Sequence, residues 1–171
     1  MRLFGLIPIE DFIWAFLLVY FIVIFYDHFY DKGKHRLYNR KLKYLLDAAV
    51  VLTLVVLLVF IFNPAVLKID YAYFYLGFVF AFIPSVLFLL KFRSFFSRYV
   101  KTGIYFFILS LLVELTGLSL QQWTFPGQHF IGWVELFGFR FPFEEFFFWM
   151  ILTCPAILSY YEFFDGDQVM R

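Results

Sequence analysis

The sequence predicts an all-α fold, a polytopic transmembrane helical bundle of about five spans. Of its 171 residues, 64% are hydrophobic, and the mean hydropathy is +0.83. Ordinary soluble domains are less apolar, and the sequence has several apolar runs near the length of about 20 residues that crosses a bilayer. The formal net charge is only +1, so no nucleic-acid partner is predicted. The composition instead predicts an integral membrane protein in contact with the lipid bilayer.

Five apolar segments are the predicted spans. We expect helices over about 8–25, 45–62, 71–90, 103–120 and 142–164. Asn63 and Pro64 end the second helix, and Pro84 predicts a kink in the third. The single cysteine, Cys154, lies in the last apolar segment, where we expect a small buried side chain and no disulfide framework.

Basic residues are concentrated in two of the connections between these segments. The connections after the first and third helices hold ten Lys and Arg, whereas the other two hold two. Basic loops lie on the cytoplasmic side of a membrane. We therefore predict that Arg36 and Arg93 are cytoplasmic and that Trp123 is outside. The N-terminus is then outside and the C-terminus cytoplasmic, in the cell (inner) membrane.

A short motif at the start of the first predicted helix recurs at the start of the fifth. The letters PIEDF occupy 8–12, and PFEEF occupies 142–146, which is 134 residues later. A second match, YDHFYD at 26–31 against YYEFFD at 160–165, keeps the same distance from the proline. This internal repeat predicts two copies of one helix.

The motif has both a structural and a functional interpretation. Proline suits the first position of a helix, and acids in the first turn face free N–H groups and the positive end of the helix dipole. Acids in membrane helices are also costly, which makes them candidates for function. Both motif helices run inward from the outer face. We therefore predict that they lie side by side or face each other across a pseudo-two-fold axis, with the carboxyls of the two motifs within roughly 12 Å around one composite site.

The two motifs, the letters ELTG at 114–117 and the aromatic loop QWTFP at 122–126 resemble a known family. It is the membrane-embedded lycopene cyclases, the non-flavoprotein type found as two small bacterial subunits or as fused proteins. Its members are built from units of three helices, and Pro-x-Glu-Glu-x-x-Phe opens the third. By this resemblance 71–171 is a complete unit and 32–70 is a basic loop with a linker helix. The segment 1–31 is the remnant of a first unit, reduced to its third helix and reading Glu-Asp in the motif.

The reduced first unit predicts a partner. Two acids at the head of an uncovered membrane helix are costly in lipid. We therefore expect a second copy of this chain, a separate subunit or upstream residues to cover the helix at 8–25. A homo- or hetero-oligomer is the expected state.

The resemblance implies an enzyme that cyclises a carotenoid end group, converting lycopene to a β-ring carotenoid as an isomerase or intramolecular lyase. An acid protonates the terminal double bond, a neighbouring double bond attacks the cation, and a base removes a ring proton. Apolar surroundings and adjacent acids can hold two carboxyls in different protonation states. The reaction has no net redox change and no cofactor is predicted, but dependence on a redox cofactor stays open. The predicted catalytic residues are Glu10, Asp11, Glu114, Glu144 and Glu145.

Aromatic side chains are the predicted contacts of the polyene substrate. The chain has 29 Phe, 12 Tyr and 4 Trp, which together are 26% of its residues. Aromatic faces stabilise a cation, and they also suit lipid-facing surfaces and interfacial belts. The predicted substrate-binding residues are Trp14, Trp123, Phe146, Phe148 and Trp149.

Other interpretations stay open at this point. Capture of the cation by water would make the protein a hydratase or another end-group modifier. A non-catalytic membrane subunit that binds carotenoid through its aromatic faces is a further alternative. Glu114 suits the site or a structural hydrogen bond, and Glu135 suits the site or a solvated loop. His28, His35 and His129 are too scattered to predict a metal site.

Overall fold

The computed structural model describes residues 2–3, 7–31, 41–125 and 127–165, with side chains for 13–30 and for most residues between 44 and 163. Helices make up most of the described chain, as the sequence predicts. The α-helices are α1 (Ile9–Tyr26), α2 (Lys41–Phe62), α3 (Ala72–Gly77), α4 (Ile83–Lys91), α5 (Phe96–Ser119) and α6 (Thr153–Asp165). Wider π-helical turns occupy Asp27–Asp31, Phe78–Phe82 and Glu145–Ile151, and 3-10 turns occupy Pro64–Leu67 and Arg93–Phe95.

Three stretches of the described chain are helical, long and apolar enough to cross a membrane: Ile13–Tyr30, Ala72–Lys91 and Arg93–Ser119. Glu145–Ile151 and Thr153–Phe163, bent by 42°, make a fourth if the pair counts as one span. The helix predicted at 45–62 lies in α2, and the apolar stretch described within it is Val50–Phe62. The structure thus supports a membrane protein with three or four spanning helices, and the fifth span stays a prediction.

Two prolines explain where the helices lose regular α-helical pitch. Pro84 and Pro155 each lie in the first turn of an α-helix that follows a π-helical turn. Proline lacks an N–H, and its ring clashes with the carbonyl four residues earlier, so the preceding turn widens. The kink predicted at Pro84 is present as the π-helical turn Phe78–Phe82. The single helix expected over 142–164 is wrong, because the chain breaks at Leu152, whose N–H bonds to a carbonyl five residues back at 3.1 Å.

Two small antiparallel hairpins are present, so the prediction of an all-α fold is incomplete. The strands are β1 (Arg2–Leu3) paired with β2 (Ile7–Pro8), and β3 (Trp133–Leu136) paired with β4 (Phe139–Pro142). The turn between β3 and β4 consists of Phe137 and Gly138, with φ values of +53° and +80°. Two successive positive φ values are those of a type I′ turn, the two-residue connection that suits the twist of a hairpin.

The two motif prolines occupy equivalent places in this architecture. Pro8 is the last residue of β2 and pairs with Arg2, while Pro142 is the last residue of β4 and pairs with Trp133. A helix begins directly after each proline. Both copies of the motif therefore join a hairpin to a helix.

The helix of the first motif, α1, packs beside α6, which is the C-terminal part of the second motif's helix, as predicted. Ile22 and Tyr26 of α1 lie in one buried cluster with Cys154 and Leu158 of α6. The Tyr26 hydroxyl donates a hydrogen bond to the carboxylate of Glu162. These contacts join the C-terminal halves of both helices, so the helices run in the same direction and both motifs lie at one end of the bundle. We call this end the motif end. The burial of Cys154 confirms the expectation for the single thiol.

Candidate functional site

Glu144 is completely buried at the motif end, in the first helical turn after β4, with 0% of its surface exposed. Its Oε1 accepts a hydrogen bond from the backbone N–H of Ile131 at 2.7 Å. Its Oε2 is also buried and has no hydrogen-bond partner in the described part of the chain. A buried polar atom without a partner costs free energy, so this oxygen is a candidate for contact with a substrate.

Glu145 points toward a different element from its neighbour. The hydroxyl of Tyr73, in the first turn of α3, donates a hydrogen bond to Oε2 of Glu145. The Tyr73 ring stacks on the indole of Trp149, with centroids 5.5 Å apart and an interplanar angle of 18°. Trp149 lies one helical turn after Glu145, so the second motif, its own helix and α3 together fix the position of this carboxyl.

Glu114 lies on the face of α5 that the loop after α5 covers, and its side chain is buried. Trp123 donates from Nε1 to Glu114 Oε1 at 3.1 Å. The indole lies directly over Gly117, where an added Cβ would be 2.1 Å from the ring. Since Glu114 and Gly117 are three residues apart, they share one helix face. The glycine allows the tryptophan to approach the acid.

The loop at 121–132 contacts the surroundings of all three acids. Besides Trp123 and the N–H of Ile131, it contributes Phe130, whose ring lies 6.1 Å from that of Tyr73. His129 reaches Asp70, just before α3, with a His129 Nε2 to Asp70 Oδ1 distance of 3.4 Å. The described part of this loop therefore covers the motif end and ties α3, α5 and the last helix together.

The predicted substrate-binding residues of the second motif have different surroundings. Phe148 is only 2% exposed and packs on Phe74 and against Gly77, where an added Cβ would lie 2.4 Å from its ring. Phe146 is half-buried and packs edge-on against Phe107 of α5, with centroids 5.8 Å apart. Phe148 thus fills a helix–helix contact. Trp149 keeps an exposed face, and Trp123 lies against α5.

The first motif is less fully described. Glu10 and Asp11 lie in the first turn of α1, but their side chains fall outside the described ones. The predicted distance between the carboxyls of the two motifs is therefore untested, and the composite site stays a prediction. Trp14, one turn further along α1, is 46% exposed.

Glu135 lies apart from the buried acids. It is exposed on β3 and pairs in register with Arg140 on β4. The guanidinium of Arg140 lies over the ring of Trp133, with Cζ 4.6 Å from the centroid. Of the two interpretations of Glu135, the structure favours the solvated one.

Two groups at the site escaped the sequence analysis. Nothing in the sequence marks Tyr73 as a donor to Glu145, since tyrosine is frequent throughout this chain. The N–H of Ile131 belongs to the backbone and has no sequence signal. A signal did exist for Trp123, because Glu114 and Gly117 on one helix face leave room for a large ring beside an acid.

The arrangement suits proton transfer to an apolar molecule. Three carboxyls lie among aromatic rings, each with one hydrogen-bond donor and with little contact with water. Carboxyls so placed can give or take a proton, and aromatic faces can stabilise a cation. Within the described residues, no group of three or more His, Cys, Asp or Glu side chains could hold a metal ion.

In comparisons with known proteins, no family model matches this chain, and no curated protein or solved structure matches it either.

Proposed function

We propose that the protein cyclises the end group of a linear carotenoid, such as lycopene, by acid–base chemistry at the motif end. The observation that carries the proposal is Glu144, a fully buried carboxyl with one oxygen lacking a partner in the described chain. A polyene has no polar group to activate, so an acid must reach its double bond directly in a site that excludes water.

In this proposal the two acids of the second motif have different roles. Glu144 gives a proton to the terminal double bond, which forms a C–H bond and leaves a tertiary carbocation. The neighbouring double bond attacks the cation and closes the ring. Glu145, held by Tyr73, then removes a ring proton. One proton enters and one leaves, so the product is an isomer and the reaction consumes no oxidant or reductant.

The aromatic rings beside Glu145 support the cationic step. Tyr73 and Trp149 stack next to this carboxyl and present ring faces at the motif end. Such faces stabilise a carbocation without forming a covalent adduct. We propose that Trp149 contacts the reacting end group and that Trp123 and Phe146 shape the surrounding wall.

We also propose that Glu10 and Asp11 belong to the same reaction centre and that the two motif helices are copies of one unit. The support is the shared hairpin, proline and helix at both motifs, together with the parallel packing of α1 beside α6.

The proposal is tested by expressing the chain in a lycopene-accumulating bacterium and resolving the pigments by chromatography and mass spectrometry. We expect a cyclic product of unchanged mass from the wild type. Glu145→Gln should lower its yield by about 100-fold or more, the usual contribution of an acid–base group. Glu135→Gln is the matched control, because this exposed glutamate lies on β3 away from the buried acids. Lycopene left unchanged by the wild-type chain would contradict the proposal.

A non-catalytic subunit that binds carotenoid is the second candidate. The observation that favours it is that Glu144, Glu145 and Glu114 each carry a hydrogen bond from the surrounding structure, which suits acids that only hold the motif end together. Lycopene that co-purifies with the chain but is never converted would support this candidate. A product heavier by one water would instead indicate a hydratase.

We propose that the motif end faces outward, with the N-terminus outside and the C-terminus cytoplasmic in the cell membrane. The distribution of basic residues supports this orientation. Labelling from outside should modify a cysteine introduced at Trp123 and spare one introduced at Arg93; the reverse pattern would overturn it.

We further propose that the chain acts as a homo- or hetero-oligomer that covers α1. The support is the exposed face of α1 formed by Ile13, Phe16 and Tyr20. Size-exclusion chromatography with light scattering on the detergent-solubilised protein should show an assembly larger than one chain. A monomer that still cyclises lycopene would contradict it.

A further inference from the structure

The carboxyl of Glu144 is closed off from any substrate in this structure. None of its surface is exposed, and its Oε2 has no hydrogen-bond partner in the described part of the chain. Backbone of the loop before β3 lies directly on this carboxyl, because the N–H of Ile131 donates to Oε1 at 2.7 Å. Any molecule that takes a proton from Glu144 must therefore first displace part of its cover.

The part of the loop that ends at Ile131 is weakly held. We call residues 127–131 the cover segment. Four of its five residues are exposed, and only Phe130 is half-buried. Within the described chain, the cover segment takes part in no backbone–backbone hydrogen bond. Segments with exposed residues and few such bonds open locally at a low cost in free energy.

The chain on both sides of the cover segment has firmer contacts. Before it, Trp123 donates to Glu114 at 3.1 Å and lies over Gly117. After it, the carbonyl of Gly132 accepts a hydrogen bond from the N–H of Phe143 at 2.9 Å, directly before β3. The cover segment can therefore move while the indole and the hairpin stay in place.

The outer contacts of the cover segment are all with residues 70–73, at the start of α3. His129 Nε2 lies 3.4 Å from Asp70 Oδ1, and the two side chains are 60% and 75% exposed. The His129 ring also meets Tyr71 edge-on at 5.9 Å, and Phe130 meets Tyr73 at 6.1 Å. An exposed ion pair contributes little to stability. The segment thus closes against α3 through contacts that are easily broken.

We propose that the cover segment is a gate that swings away from α3 to admit the end of an apolar substrate to Glu144. The inference rests on the proposed function, because it takes Glu144 as the group that the substrate must reach. The closed gate excludes water, which would otherwise capture a carbocation. Closure also returns Phe130 to Tyr73, the residue that holds Glu145, so it completes the surroundings of the second acid.

The test locks the gate and measures access to Glu144. Asp70→Cys and His129→Cys are introduced together and joined by a short bis-thiosulfonate linker, which a reductant releases. The protein in detergent is treated with dicyclohexylcarbodiimide, an apolar reagent for carboxyl groups, and labelling of Glu144 is followed by peptide mass spectrometry. We expect the locked protein to label Glu144 about tenfold more slowly than the same protein after reduction, because a reagent reaches a buried group only through open states.

The matched control places the same linker on the hairpin. Glu135 and Arg140 are exposed and pair in register on β3 and β4. With Glu135→Cys and Arg140→Cys joined, the labelling rate of Glu144 should be the same before and after reduction. The native Cys154 is buried, so the linker should react with the introduced cysteines alone.

A single substitution repeats the test if the double variant does not fold. His129→Ala removes the exposed pair with Asp70 and should raise the labelling rate of Glu144 about threefold, as expected for a weak surface contact. Gln128→Ala, at the exposed neighbouring position, is the control and should leave the rate unchanged.

The outcomes separate the gate from the function. Equal labelling of Glu144 in the locked and reduced protein would overturn the inference, and so would a carboxyl that is never labelled, because the gate would then not open. Full cyclic product from the locked protein would overturn the gate and leave the proposed function standing. Labelling that depends on the lock, without any cyclic product from lycopene, would support the gate and contradict the proposed function.

Discussion

The first and last helices begin with the same motif but lie in different surroundings. Trp14 and Phe148 each follow the motif proline by six residues, yet Trp14 is 46% exposed and Phe148 is 2% exposed. The difference comes from α3, whose Gly77 admits the Phe148 ring at a distance that any side chain would block. A motif in the sequence therefore does not make a site by itself. The helices that cover it decide whether its acids are buried.

The same contrast appears in the backbone. After its motif α1 runs as a regular α-helix for 18 residues. The last helix is π-helical over Glu145–Ile151 and then bends by 42°. Because a π-helical turn widens the helix and re-aims its side chains, such turns frequently lie at functional sites. This property favours the second motif as the main reaction centre.

Among the variants that test this contrast, we expect a substitution of Phe148 to lower the free energy of unfolding most. Phe148→Ala should lower the free energy of unfolding by about 3 kcal/mol or more, because it leaves a cavity between α3 and the last helix. Trp14→Ala, at the equivalent position of α1, should cost less than about 1 kcal/mol. Reversible unfolding in mixed detergent measures both. Equal losses of unfolding free energy in the two variants would show that neighbouring elements bury α1 and the last helix to the same extent.

Gly77 tests the same contact from the other side. Gly77→Ala places a methyl group against the Phe148 ring, and overpacking of this kind costs about 1–3 kcal/mol. Gly103→Ala on α5 is the control, since an added Cβ there meets nothing within 4 Å. Gly103→Ala should stabilise the protein by up to about 1 kcal/mol, because alanine suits a helix interior better than glycine. The prediction is wrong if the two variants unfold at the same detergent concentration.

The pairing of α1 with α6 gives a third comparison. Tyr26→Phe removes the hydroxyl that donates to Glu162 but keeps the ring, so it should cost about 1–3 kcal/mol, the range for a buried acceptor that loses a donor. Tyr20→Phe, on the exposed side of α1, should have almost no effect. If Tyr26→Phe also leaves the free energy of unfolding unchanged, the hydrogen bond to Glu162 does not hold α1 in place.

The smallest effect should come from Trp123. Trp123→Phe keeps an aromatic ring over Gly117 but removes the donor to Glu114, which should cost about 1 kcal/mol. Trp133→Phe is a control on the hairpin. Thermal unfolding followed by tryptophan fluorescence distinguishes the two, and identical midpoints would argue against a hydrogen bond between Trp123 and Glu114.

Apolar runs and proline positions predicted most of the helices, because both act locally along the chain. The expected starts near Pro8 and Tyr71 lie within one residue of the observed helices, and the kink at Pro84 is present. The break near Pro155 was missed because a long apolar run outweighs a single proline in a hydropathy pattern. The β3–β4 hairpin was missed because its strands are short.

The site was less predictable than the fold. Glu144, Glu145 and Glu114 were expected around one cavity, with Glu114 below the other two, and the structure gives each of them a hydrogen-bond donor. Their partners come from elements distant in sequence: Tyr73 lies 72 positions from Glu145. Periodicity and local motifs carry no information about such contacts, which depend on how the helices pack.

The central claim is that a buried carboxyl of the second motif starts a proton-driven cyclisation. Membranes containing the protein are incubated with lycopene in heavy water, and the product is analysed by mass spectrometry. The wild type should give a cyclic product that carries one deuterium for each ring formed, since the proton that enters comes from an exchangeable carboxyl. Glu144→Gln should give at least about 100-fold less of it. A cyclic product without deuterium, or an unchanged yield from Glu144→Gln, would contradict the account.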